Sequence, residues 1–109
     1  MAYDQYLAQR VRGALGDQPD LVEKRMLGGV GFMIHGNMAC GVHKGKLVVR
    51  LGADVYQKAL ARPHALPFDI TGRPMKGWVM VAAEGCQNDE SLQDWVEQAL
   101  EFALTLPRK

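Results

Sequence analysis

Residues 23–51 read EKRMLGGVGFMIHGNMACGVHKGKLVVRL, a series of short apolar runs separated by tight glycine turns. A parallel pair of strands needs a crossover of roughly a dozen residues or more, and no such spacer exists here, so consecutive antiparallel hairpins are the remaining solution. Val30, Phe32 and Ile34 fall at period two, the pattern of a half-buried strand. Met38, Cys40 and Val42 alternate again, and Leu47, Val49 and Leu51 line one face of the next strand, leaving Val48 and Arg50 on the other. His35-Gly36-Asn37 and Lys44-Gly45 supply the turns, since Gly and Asn tolerate positive φ at little steric cost. Residues 21–27 alternate loosely and start the sheet, and Gly28-Gly29 breaks it.

The flanks read as covering elements. Tyr3, Tyr6, Leu7, Val11, Ala14 and Leu15 recur at helical spacing over residues 3–15, with Gly16 as a stop. After Gly52, Asp54 is placed to cap a short helix running to Arg62, with Val55, Ala59 and Leu60 inward, ended by Pro63 and Pro67. Residues 68–70 read as a short strand, TGRPMKG as a loop, and residues 78–82 as a further strand with Trp78, Met80 and Ala82 on one face. Asn88 or Asp89 caps a final helix whose stripe is Leu92, Trp95, Val96, Ala99, Leu100 and Ala103, ended by Pro107. The order α-β(3-4)-α-β-β-α predicts an α+β two-layer sandwich, an antiparallel sheet with helices on one face.

At 109 residues and 48% hydrophobic composition the chain can bury one core without metal or disulfide. Thirteen Lys+Arg against twelve Asp+Glu leave a net charge of +1, which disfavours a dedicated nucleic-acid binder. Cys40 and Cys86 are too isolated for a disulfide framework or a zinc site. Cys40 reads as a small buried hydrophobe, and Cys86 as an exposed thiol in a loop. Free thiols suit a reducing cytoplasm, and no signal-peptide or membrane-span pattern is present.

No catalytic constellation is legible. GGVG at residues 28–31 lacks phosphate-loop spacing and precedes a strand, so it reads as a turn or bulge. His35, His43 and His64 sit apart beside turn residues, without partners at metal-ligand spacing. Cys40 and His43 are three apart in a strand and should face opposite sides. The most unusual loop is TGRPMKGW, where Arg73 and Lys76 lie on a segment stiffened by Pro74 beside Trp78. Two cations and an aromatic side chain suit contact with an anionic or protein surface. Lys24, Arg25 and Arg50 form a second basic group if strand pairing brings them to one face.

Glu23-Lys24-Arg25-Met26-Leu27-Gly28-Gly29, then Phe32 and Gly36-Asn37-Met38, and later Thr71-Gly72-Arg73-Pro74-Met75-Lys76-Gly77-Trp78, together resemble the N-terminal domain of the TfoX/Sxy competence-regulator family. The one local departure is Leu27, where the family often carries Phe. The matching positions are Lys24, Met26, Gly28, Gly29, Phe32, Gly36, Gly72, Met75 and Trp78, most of which read as turn glycines and core apolar side chains. The resemblance implies a small bacterial α+β domain, related in architecture to secretion chaperones, with no enzymatic chemistry and no cofactor. It further implies regulation of transcription of DNA-uptake genes, together with the cyclic-AMP receptor protein. Full-length regulators carry a second, helical domain, so residues 1–109 are expected to be a stand-alone N-terminal-like domain. Lys24, Arg25, Arg73, Lys76 and Trp78 are the expected protein-contact residues. A homodimer is also expected from an uncovered face or edge. Direct nucleic-acid binding, and a small-molecule pocket between the sheet and the TGRPMKGW loop, stand as alternatives.

Overall fold

The computed structural model describes residues 3–26, 28–69 and 72–109. The elements run α1 (Gln5–Leu15), β1 (Leu21–Met26), β2 (Gly29–Ile34), β3 (Asn37–His43), β4 (Lys46–Arg50), a 3-10 turn (Ala53–Val55), α2 (Tyr56–Leu60), β5 (Ala65–Pro67), β6 (Trp78–Val81), a second 3-10 turn (Ala83–Cys86) and α3 (Asp89–Thr105). The strands form one six-stranded sheet in the order β1-β2-β3-β4-β6-β5, with every pairing antiparallel. The α+β arrangement with helices on one face holds.

Each long helix begins where a short polar side chain satisfies an otherwise unpaired backbone N–H. The Leu7 amide donates to Asp4 Oδ1 at 3.0 Å, and the Ser91 amide donates to Asn88 Oδ1 at 2.8 Å. The Asp4 amide also donates to the Lys44 carbonyl, fixing the start of α1 to the β3–β4 turn.

All three helices bury their apolar side chains in one cluster with Val30, Phe32, Cys40, Val42, Leu47, Val49, Val79 and Val81. Register explains this layer: Val30 pairs with Val42, Phe32 with Cys40, Cys40 with Val49, Val42 with Leu47, Leu47 with Val81 and Val49 with Val79. Side chains directly across a ladder share a face, so the eight form one contiguous floor under the helices. Trp95 is 1% exposed, with the Arg62 guanidinium 3.7 Å from its ring centroid; Arg62 also pairs with Asp94.

Several expectations are corrected. Met38 does not share a face with Cys40 and Val42, because the register shifts between Phe32 and Met33. Ala39 takes up the extra position, and Met38 emerges on the opposite face. The strand expected over residues 68–70 lies instead at Ala65–Pro67; Phe68 follows it, and Ile70 falls outside the described residues. In the middle helix Tyr56 and Ala59 turn inward while Val55 is exposed, and Asp54 makes no side-chain cap because a 3-10 turn precedes the helix. Tyr6 is 71% exposed, its place in the α1 stripe taken by Ala8. Cys86 is 1% exposed rather than on the surface, its Sγ donating to the Ala82 carbonyl within the second 3-10 turn.

The turn at residues 35–36 is a two-residue hairpin with His35 and Gly36 both at positive φ. Asn37 belongs to β3 instead of the turn, and its Nδ2 donates to the Pro107 carbonyl at 2.9 Å. The Lys109 amide donates to the His35 carbonyl, so the segment after α3 is held against this hairpin. No described helix is long and apolar enough to cross a membrane.

Candidate interaction surface

The second face of the sheet carries a different chemistry. Its register rows are Lys24, Gly31, Gly41, Val48, Met80 and Leu66 across one line, and Met26, Gly29, His43 and Lys46 across the next. Val22, Met33 and Met38 form a third row, and Arg50 lies opposite Trp78. No described helix covers this face. Val22, Met26, Leu66 and Met75 are exposed, whereas Val48 is buried although no helix lies over it.

Val48 is covered by neighbouring side chains. Met26, Met38, His43 and Phe68 surround it and enclose a cavity of about 80 Å³ lined almost wholly by carbon. Gly29 lines this trough, and Gly31 and Gly41 lie beneath the methionine ends that wall it. A Cβ at Gly31 would lie 2.7 Å from Met26 Cε and 3.4 Å from Met38 Cε. At Gly41 it would lie 2.9 Å from Met38 Cε and 2.5 Å from the Val30 carbonyl oxygen. The two thioether ends thus occupy the volume that side chains at 31 and 41 would take. Methionine is unbranched and readily changes rotamer, so this filling is movable.

The expected contact residues are placed as follows. Lys24 and Arg25 do not form one group, because neighbours in a strand face opposite sides: Lys24 shares the open face, and Arg25 lies in the row of Val30 on the helix side. Arg50 shares the open face with Lys24 but sits three strands away. Its guanidinium is 5.2 Å from the Trp78 ring centroid and 5.7 Å from that of Phe102. Trp78 also stacks on Phe68, with centroids 5.8 Å apart and planes 28° from parallel. Arg73 and Lys76 are exposed in the loop before β6. That loop is pinned by the Met75 amide to the Phe68 carbonyl and by the Leu51 and Gly52 amides to the Gly77 carbonyl. Gly77 is buried at φ 93°, where a side chain would meet the Gly52 backbone.

Among the motif positions, Phe32 is core, and Gly28, Gly36 and Gly72 take positive φ. Gly29 lies inside β2, where a Cβ would be 2.1 Å from the Val42 carbonyl oxygen. Met26 and Met75 are not core side chains: they are 39% and 43% exposed. For Met33 the signal was there in the alternation, since it falls between Phe32 and Ile34 of the core face; β1 carries no such apolar alternation around Met26. Thr71 and Leu27 lie outside the described residues.

Charge is segregated in a way the net value conceals. The ionisable side chains at open-face strand positions are Lys24, Lys46, Arg50 and His43, with no carboxylate among them. Lys24, Lys46, Arg73 and Lys76 make no ion pair among the described residues. His43 is held below its ordinary value by burial and then by Lys44 and Lys46. On the far side of the molecule α3 carries Asp89, Glu90, Asp94, Glu97 and Glu101 and no Lys or Arg. Arg12 and Glu23 tie α1 to β1 through a two-pronged ion pair. That contact holds the Glu23 carboxyl below the usual range.

Among the described residues neither cysteine is an activated nucleophile. Cys40 is sealed in the helix-side core with its thiol pushed up to about 12 by burial. His43 faces the other side of the same strand, as its spacing predicts. The profile of the TfoX N-terminal domain matches residues 14–103 of this chain. No curated protein and no solved structure matched in the same comparisons.

Proposed function

The chain belongs to the TfoX N-terminal domain family, and from that premise we propose that it is a non-enzymatic regulatory module acting through protein contacts. The observation that carries this reading is the sheet face that no described helix covers, apolar at its centre and edged by cations without ion-pair partners. Extended apolar patches rimmed by polar residues mark interaction sites on soluble proteins. Transcriptional control of DNA uptake in a bacterial cytoplasm is the process that the family resemblance suggests. Within it, Lys24, Arg73, Lys76 and Trp78 border the contact, while Arg25, on the helix side of the sheet edge, contributes least.

The test is affinity capture from the native cell extract with the wild type beside Arg73→Glu/Lys76→Glu. A partner recovered by the wild type and lost by the variant supports the reading, and equal recovery contradicts it. Charge segregation favours one second reading, direct nucleic-acid binding through the cationic face. It requires affinity that falls steeply with salt, and an unretarded gel shift at low salt rejects it. A small-molecule site in this trough is disfavoured because its volume is well below the roughly 300–1,000 Å³ of ordinary ligand pockets.

A further inference from the structure

Resting on that reading, we infer that the open sheet face docks an acid-rich amphipathic helix of another protein, whose leading apolar side chain enters the trough between Met26, Met38 and Phe68. The helix-side layer shows what such a sheet accepts: amphipathic helices laid across its strands. A helix on the second side would convert two layers into three, covering Met33, Met80 and Leu66 as α1 and α3 cover the core.

The trough supplies the anchor point. It is carbon-lined, so a buried polar group would lose its hydrogen bonds to water there, while an aliphatic side chain has none to lose. The Met26 and Met38 ends rest over Gly31 and Gly41, which carry no side chain, and an unbranched methionine can change rotamer to admit it. Binding surfaces that fit varied apolar anchors characteristically use methionine in this way.

Charge selects the occupant. Lys24 and Lys46 border the trough on two sides, and Arg73 and Lys76 project from the loop before β6, all without ion pairs among the described residues. Carboxylates flanking the apolar stripe of a partner helix would meet these cations. A second copy laid face to face would set cation against cation, which costs affinity. A single nucleic-acid strand needs free aromatic faces for stacking, whereas Trp78 is already engaged by Phe68 and Arg50.

The experiment uses the full chain carrying ¹³C-methyl methionine, with the methyl signals of Met26, Met38 and Met80 as reporters. Three probes are titrated: a synthetic Leu/Glu amphipathic helix of about 15 residues, the same peptide with Lys for Glu, and oligothymidylate. The Leu/Glu peptide is expected to shift the Met26 and Met38 signals saturably, and the Leu/Lys peptide to bind at least about tenfold more weakly. Gly31→Ala sets a methyl against the Met26 and Met38 ends that wall the trough, and displaces only movable side-chain ends. It should leave the melting temperature near that of the wild type and weaken the Leu/Glu peptide about tenfold. Lys24→Glu/Lys46→Glu alters only charge and should invert the preference between the two peptides.

Equal binding of both peptides, oligothymidylate moving the same methyls as tightly, or a dimer in sedimentation that buries those methyls without any peptide would each overturn the inference. If no peptide binds while Arg73→Glu/Lys76→Glu still abolishes capture from extract, the docking inference falls and the protein-contact reading stands. Loss of neither signal in any variant removes both.

Discussion

Phe32 and Met33 are neighbours in β2, yet they belong to two different surfaces. Phe32 lies in the layer of Val, Leu and Cys side chains sealed by three helices. Met33 lies in the open layer, where methionine, glycine and lysine join Val22, Val48 and Leu66 and much of the surface meets solvent. The covered side uses side chains with few rotamers, as a close-packed interior requires. Around Val48 the open side lays long, unbranched methionines over glycine backbone, the composition of a surface that adapts to what touches it. One sheet therefore carries a structural face and a contact face, and their substitutions should behave differently.

The largest contrast is within that adjacent pair. Phe32→Ala should cost about 3–5 kcal/mol, a large part of the roughly 5–15 kcal/mol that holds a domain folded. Met33→Ala should cost less than about 1 kcal/mol, because the side chain is only partly buried. Chemical denaturation of the two variants measures both, and similar losses would break the distinction.

Glycine separates the faces next. Gly29→Ala forces a methyl against the Val42 carbonyl across the β2–β3 ladder and should destabilise by about 1–3 kcal/mol or more. Gly31→Ala meets only methionine ends and should stay within about 1 kcal/mol of the wild type. The helices that seal the covered side depend on their caps: Asp4→Ala or Asn88→Ala should each cost about 1 kcal/mol in the same assay.

Two smaller effects concern the covered side and its rim. Cys40 and Cys86 are both buried with raised pKa, so Ellman's reagent should find no fast-reacting thiol in the native protein and two after denaturation. Arg12→Gln should lose about 0.5 kcal/mol or less at pH 7, as expected for an exposed pair. The Glu23 carboxyl is lowered in the folded state by that contact, so its contribution is present above the ordinary value of 4.5 and fades as pH falls through the folded value. The difference between wild type and Arg12→Gln should therefore vanish in strong acid; a difference that persists there would mean Arg12 acts through packing.

Much of this was legible in the residues. The hairpin turns, the alternation of Val30, Phe32 and Ile34, and the helical stripe of Leu92, Trp95, Val96, Ala99 and Ala103 all appear where periodicity put them. Periodicity failed at Met38, because a bulge reverses facing and leaves no mark in composition. It failed at residues 68–70, where the pairing of β5 with β6 is set by the partner strand and not by local propensity. The candidate site was legible residue by residue but not as a surface. Lys24 and Arg25 read as one basic pair and are divided by the pleat. Met26 and Met75 read as core because apolarity alone does not say which of two faces a helix will cover. Net charge, a sum over the whole chain, could not report that the cations of the open face and the acids of α3 lie on different sides.

The most direct measurement of the contact-face claim is site-specific photocrosslinking in the native cell. A photoreactive amino acid is placed singly at Val22, Met33 and Leu66 on the open face, and at Glu97 and Glu101 on the outer side of α3. A discrete adduct from the sheet positions and none from the helix positions is the predicted result. Adducts from α3 alone, with a silent sheet, would contradict it.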